Sequence, residues 1–321
     1  MMTQAPAPAV TPDLIEAARA RISPYVRRTP IISTRPGELG LKHGVALKLE
    51  LLQYTGSFKP RGAFNRILSA AESDAISEVG LVAASGGNHG AAVAYAAQRL
   101  GYEAEVFVPS SSPEMKRDRI SSFGATVHVV QGLYDDAQAA ATAHQARSGG
   151  LMVHPYEHVQ VVAGQGTMAA ELDTQLDSYD TLLLASGGGG FVAGQAAWVR
   201  DTRKVVSVEP TTSNCLQAAL QAGEIVDVEV SGIAADSLGA RRLGSVAWWT
   251  VHQYVDQAVT VDDIEIRAAQ RALWNELRLV AEPGGATALA ALRSGAYVPE
   301  RGERVVVVIC GSNCDPATVI G

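Results

Sequence analysis

The chain alternates short, continuously apolar, β-branched runs with alanine-rich stretches of helical period, and it places glycine or a small polar residue at the strand-to-helix junctions. Strands that are apolar on both faces must be covered on both faces, so the pattern specifies the α/β class: open, mostly parallel sheets flanked by helices. Strands are predicted at 46–52, 80–84, 104–108, 126–130, 181–185, 204–208 and 304–309. Helices are predicted at 12–23, from 59 onward, at 89–100, 113–123 and 134–147, and after the glycine run 187–190 through Arg200. Thr11 is placed to cap the first of these, with Pro12 at its first position. The grouping predicts a small domain over 81–154, inserted into a large domain built from 1–80 and 155–321. The first eleven residues, polar and rich in Ala and Pro, read as disordered.

Composition narrows the function. Hydrophobic residues make up 47% and charged residues 18%, which is a globular balance. Apolar runs such as 305–310 fall far short of the roughly 20 residues that span a bilayer. A net charge of -7 offers no surface for a phosphate backbone, so nucleic acid is excluded as a partner and small molecules are favoured. Three cysteines, Cys215, Cys310 and Cys314, make neither a disulfide framework nor a zinc pattern. With no signal-peptide core at the start, the expected location is cytoplasmic.

In open α/β sheets, ligands sit beyond the carboxyl ends of strands. Gly187, Gly188, Gly189 and Gly190 follow an apolar strand and open a helix, where bare N–H groups and the helix terminus favour an anion. The alternative is a tight turn in a glycine-rich chain. The spacing matches neither a dinucleotide fingerprint nor a P-loop, so the phosphate expected is that of a monophosphate. Ser85, Gly86, Gly87, Asn88, His89 and Gly90 hold the equivalent place one layer earlier and suit a substrate carboxylate, with Asn88 as a plain helix cap the competing reading. Of 26 basic residues only Lys42, Lys48, Lys59, Lys116 and Lys204 are lysines. Lys59, in Ser57-Phe58-Lys59-Pro60-Arg61-Gly62, stands at a helix mouth, where the helix terminus, nearby Arg61 and partial burial are expected to lower its pKa and make a Schiff-base amine.

Together these motifs resemble the fold type II pyridoxal-phosphate (PLP) enzymes, and within them the serine/threonine dehydratase and serine racemase family. Val162-Ala163-Gly164-Gln165-Gly166-Thr167, Val208-Glu209-Pro210, Glu282-Pro283 and Cys310-Gly311-Ser312-Asn313 continue the likeness in order along essentially the whole chain. The resemblance implies a two-domain, tryptophan synthase β-like fold. It implies that Lys59 carries PLP as a Schiff base and acts as the base at Cα, that the Gly187 to Gly190 backbone holds the phosphate, and that Phe58 packs on or beside the ring. Asn88 would bond the ring hydroxyl, and Cys310, standing where the family commonly has Ser, would face the pyridine nitrogen as a neutral partner. Ser85, Gly86, Gly87, Asn88, His89 and Tyr156 would receive the substrate, with His89 a structural loop residue. Glu282 either orients the ring region or caps a helix.

The activity implied is dehydration of L-threonine or L-serine to a 2-oxo acid and ammonia. Racemases of the family carry Ser two residues before the loop Asn, and Gly86 stands there, so dehydration is expected to exceed racemisation. A divalent-metal site in some relatives pairs a Glu before Pro with an Asp six residues on; Glu209 is retained but Cys215 replaces the Asp, leaving an ion-free Glu209 or a monovalent cation as alternatives. Arg241 and Arg242 are read either as surface or dimer-contact residues or as ligands for a second carboxylate, which a 3-hydroxyaspartate dehydratase would need. A PLP-binding module without turnover is the non-enzyme alternative. The resemblance also suggests a homodimer. Because the chain ends soon after Asn313, no isoleucine-binding effector domain is expected.

Overall fold

In the computed structural model, residues 9–320 are described. Ten strands form two sheets: β1 Ile31–Ser33, β2 Ala46–Lys48, β3 Leu81–Ala84, β4 Ala104–Pro109, β5 Thr126–Val130, β6 Leu151–Met152, β7 Thr181–Ala185, β8 Lys204–Pro210, β9 Gln257–Val261 and β10 Val305–Val308. The order β1-β2-β10-β7-β8-β9 builds the larger sheet and β5-β4-β3-β6 the smaller. Every pairing is parallel except the edge pair, where Ile31, Ile32 and Ser33 run antiparallel against Lys48, Leu47 and Ala46. Strands β3, β7 and β10 are buried at every residue, as continuous apolar runs require when helices cover both faces.

The helices are α1 Pro12–Ile22, α2 Pro60–Ala71, α3 Asn88–Leu100, α4 Glu114–Ser122, α5 Tyr134–Ser148, α6 Val159–Leu172, α7 Gly190–Val199, α8 Cys215–Ala222, α9 Ala235–Leu238, α10 Ser245–Tyr254, α11 Asp263–Leu277, α12 Pro283–Ser294 and α13 Ala317–Ile320. Helix α1 starts as expected, with the Thr11 hydroxyl accepting from Leu14 N. Of the N-terminus read as disordered, residues 1–8 lie outside the described region, whereas Val10 is buried in the large core. The strand predicted over 46–52 stops at Lys48, because the chain turns through a 3-10 segment, Glu50–Leu52, that buries the Glu50 carboxylate.

Helix α2 lies in the small-sheet core and packs against α6, a helix of the large core. One face, with Ala63, Phe64, Ile67 and Ala70, packs into the small-sheet cluster. The other meets α6 so closely that a Cβ on Gly62 would stand 2.4 Å from Gln165 Nε2, and one on Gly164 2.4 Å from the Arg61 carbonyl. The glycines of the Val162 to Thr167 motif are therefore packing residues that let two backbones touch and so fix the start of α2, the end that carries Lys59.

Candidate active site

A cleft of about 290 Å³ opens where the carboxyl ends of β3 and β4 face those of β7 and β10. It is lined by Phe58, Lys59, Ser85, Gly86, Gly87, Asn88, His89, Tyr156, the four glycines Gly187 to Gly190, and Cys310, so the residues singled out from the sequence converge on one place. Glu209, Arg241 and Arg242 do not line it.

Lys59 immediately precedes α2, and the end of β10 anchors its loop. Ser57 bridges Gly311, Phe58 N donates to the Cys310 carbonyl at 3.2 Å, and Ser312 N donates to the Gly56 carbonyl at 2.9 Å. The ammonium Nζ lies 3.4 Å from the Pro155 carbonyl. Burial lowers its pKa to about 8, against the opposing pull of Cys310 and Glu282. Arg61 does not contribute as expected. Its guanidinium turns away into a buried network, donating to both oxygens of Glu50 at 2.8 Å and to Glu171 at 3.0 Å, so its charge is neutralised where it stands.

The tetraglycine turns from β7 into α7, with Gly189 at φ +81°. Tyr156 lies directly over it. A Cβ on Gly188 would stand 2.5 Å from the Tyr156 ring and one on Gly190 2.8 Å from Tyr156 Cβ, so any side chain here would displace the tyrosine. Phe191, the next residue, stacks on Phe58 with centroids 4.0 Å apart and planes at 26°, which joins the lysine loop to the glycine turn. Cys215 donates its thiol to the Gly187 carbonyl at 3.3 Å.

Across the cleft, α3 begins at Asn88 without a side-chain cap, which removes the cap reading of Asn88. Its Nδ2 donates to Glu282 Oε1 at 2.5 Å, and its Oδ1 accepts from Asn313 Nδ2 at 2.6 Å. Glu282 likewise makes no capping bond to α12. It is buried with Oε2 unpartnered, and burial raises its pKa to about 7. The Cys310 thiol donates to the Gly284 carbonyl at 3.4 Å and is pushed up by burial, so it stays neutral. The His89 ring is buried with Nε2 2.6 Å from the Val153 carbonyl, and burial lowers its pKa to about 3, so it is a neutral donor locked in the small-sheet core. Tyr156 is held by burial as the neutral phenol, pushed up to about 12.

The sequence did not single out Phe191, Ser112, Tyr134, or the pair Lys116–Asp236 that joins α4 to α9 at the cleft. The small-residue run Ser110-Ser111-Ser112 at the end of β4 carries the same signal as the other strand ends and points to Ser112. Outside the cleft, Glu209 accepts from Leu216 N at 2.9 Å and Gln217 N at 2.8 Å, so both its oxygens cap α8. Among the described residues no group of three or more His, Cys, Asp or Glu is arranged to hold a metal. Arg242 is exposed and its side chain faces Asp227 at 3.6 Å, leaving the second-carboxylate reading without support in the cleft.

A turn that leaves no room for a Cβ at Gly188, Gly189 or Gly190, a lysine with a depressed pKa, and a buried carboxyl oxygen without a partner together fit a phosphorylated aromatic aldehyde, and the fold and site define a PLP enzyme. A family model described as pyridoxal-phosphate dependent enzyme matches residues 22–311. The chain is 35% identical over 309 residues to an L-threonine ammonia-lyase of Geobacter sulfurreducens, covering 95% of this chain and 76% of that one. It is 35% identical over 314 residues to the phenylserine dehydratase of Ralstonia pickettii, covering 96% and 95%. The structure of maize serine racemase superimposes with a TM-score of 0.90 at 30% identity, covering 97% of this chain and 96% of that one. This chain belongs to the pyridoxal-phosphate dependent enzyme family, and its relatives there include threonine dehydratases, phenylserine dehydratase and serine racemases. Among the described residues no helix is long and apolar enough to cross a membrane.

Proposed function

We propose that the protein is an ammonia-lyase that dehydrates L-threonine or L-serine to the 2-oxo acid and ammonia. The observation that carries this reading is the convergence of the Lys59 amine, the tetraglycine turn and the loop from Ser85 to Asn88 on one cleft. Lys59 would hold the cofactor, the N–H groups around Gly187 to Gly190 its phosphate, and Asn88, Cys310 and Phe58 the ring. Bound there, PLP supplies the electron sink that stabilises negative charge at the substrate Cα.

The chain's own groups do the rest. The N–H groups of Gly86 and Asn88 at the start of α3 would receive the substrate carboxylate, the Gly87 N–H being held by Ser85 Oγ. Lys59 would accept the Cα proton, a role suited to an amine whose pKa lies near 8. The β-hydroxyl would leave as water with the proton that Lys59 took from Cα, and hydrolysis of the dehydrated product would give the 2-oxo acid and ammonia. The neutral Cys310 thiol would bring no positive charge to a pyridine nitrogen held beside it, which would favour prompt elimination over transamination.

A 2-oxo acid release assay over L-threonine, L-serine, threo-phenylserine and threo-3-hydroxyaspartate tests the reading. Turnover of the first two is expected to dominate. Cofactor binding without release from any of them would mark a PLP-binding module instead, and preference for 3-hydroxyaspartate would overturn the substrate assignment.

A further inference from the structure

We propose that the Ser112 hydroxyl is a substrate-binding group that holds the amino-acid carboxylate from the β4 side of the cleft. The inference rests on the preceding reading, in which the loop after β3 receives that carboxylate. A Cβ built on Gly86 would stand 1.7 Å from Ser112 Oγ and 2.6 Å from Ser112 Cβ. The serine from the neighbouring strand therefore occupies the volume that a side chain at position 86 would fill, and Gly86 is glycine because that volume is taken. The chain fixes this placement: Ser112 N donates to the Pro109 carbonyl at 3.0 Å, closing a turn at the end of β4, and Ser110 N ties the turn to the Val130 carbonyl at 2.7 Å.

The polar side chains of the loop itself, and Lys116 across from it, are engaged within the protein. Ser85 Oγ accepts from Gly87 N at 3.2 Å, Asn88 bonds through both ends of its amide, His89 bonds the Val153 carbonyl, and Lys116 pairs with Asp236. Ser112 Oγ makes no hydrogen bond to the described residues, yet its side chain lines the cleft and is only partly exposed. A free hydroxyl packed over Gly86, beside N–H groups that face an anion, has its best partner in that same anion. A hydrogen bond to a charged group is stronger than one between neutral groups, so its loss has a measurable cost.

The test uses the holoenzyme. L-threonine binding is followed by the change in cofactor absorbance and by steady-state KM, and PLP affinity is measured separately. Ser112→Ala is expected to weaken L-threonine binding about 10-fold or more with PLP affinity unchanged. Gly86→Ser alone, colliding with Ser112, is expected to melt below wild type. The double variant Ser112→Gly, Gly86→Ser returns a hydroxyl to the same volume and is expected to recover both melting temperature and L-threonine affinity. Wild-type affinity in Ser112→Ala, or a double variant that regains its melting temperature but not its affinity, overturns the inference. A wild-type holoenzyme whose absorbance responds to no hydroxy amino acid overturns the functional reading, and this inference with it.

Discussion

The depressed pKa of Lys59 makes a quantitative claim about how the protein captures its cofactor. At pH 7 an amine titrating at about 8 is neutral in about one molecule in eleven, whereas one at the ordinary 10.5 is neutral in about one in three thousand, a gain of about 300-fold in reactive amine. The perturbation is pH, and the assay is the initial rate at which protein stripped of cofactor covalently captures added PLP, followed by absorbance. Dividing by the rate for a free alkylamine of ordinary pKa cancels the cofactor's own titration and the rising neutral fraction of the reference amine. The relative rate should then be flat well below pH 8 and fall about tenfold per unit above it, with the bend near 8. Glu282 sharpens the test. Its carboxyl titrates near 7, so an anion builds up beside the Lys59 ammonium over the same range and holds the pKa up. Glu282→Gln removes that anion, and the bend should move below pH 8. A relative rate that stays flat to pH 10, or a bend that moves upward in Glu282→Gln, would refute the argument that burial sets the pKa and Glu282 opposes it.

Three other outcomes follow from particular contacts. Gly188→Ala drives a methyl group into the Tyr156 ring, so titration of the cofactor-free protein with PLP should show affinity at least about tenfold weaker, with the deficit reduced when Tyr156 is also shortened to Ala. Arg61→Met strips the buried Glu50 carboxylate of its strongest partner and should cost about 3–5 kcal/mol in urea unfolding; a loss under 1 kcal/mol would mean that Lys48 and Thr29 suffice. Arg242→Ala, altering an exposed side chain outside the cleft, should leave kcat/KM for L-threonine within about twofold and should not selectively reduce turnover of 3-hydroxyaspartate.

What was legible in the sequence is what local chemistry dictates. Strands β5 and β7 match their predicted limits because each is a β-branched or leucine run bounded by turn residues, and both glycine-rich turns were found because a bare backbone after a buried strand has few other uses. Strands β1 and β6, of three and two residues, carry too little pattern to announce themselves and form only because a neighbouring strand is already in place. The case of Arg61 shows a second kind of limit. Sequence proximity put its charge beside Lys59, but successive helical positions point in different directions, and this one faces Glu50 and Glu171, the latter 110 residues away. Ser112 shows the converse. Nothing near Gly86 in sequence explains why it is glycine; the cause is 26 residues on, at the tip of a parallel neighbour reached only through a crossover helix. In a parallel sheet, groups that share a site come from strand ends separated by whole βα units. The identity of a single loop residue is therefore set by spatial neighbours, and reading such a residue correctly requires the sheet order first.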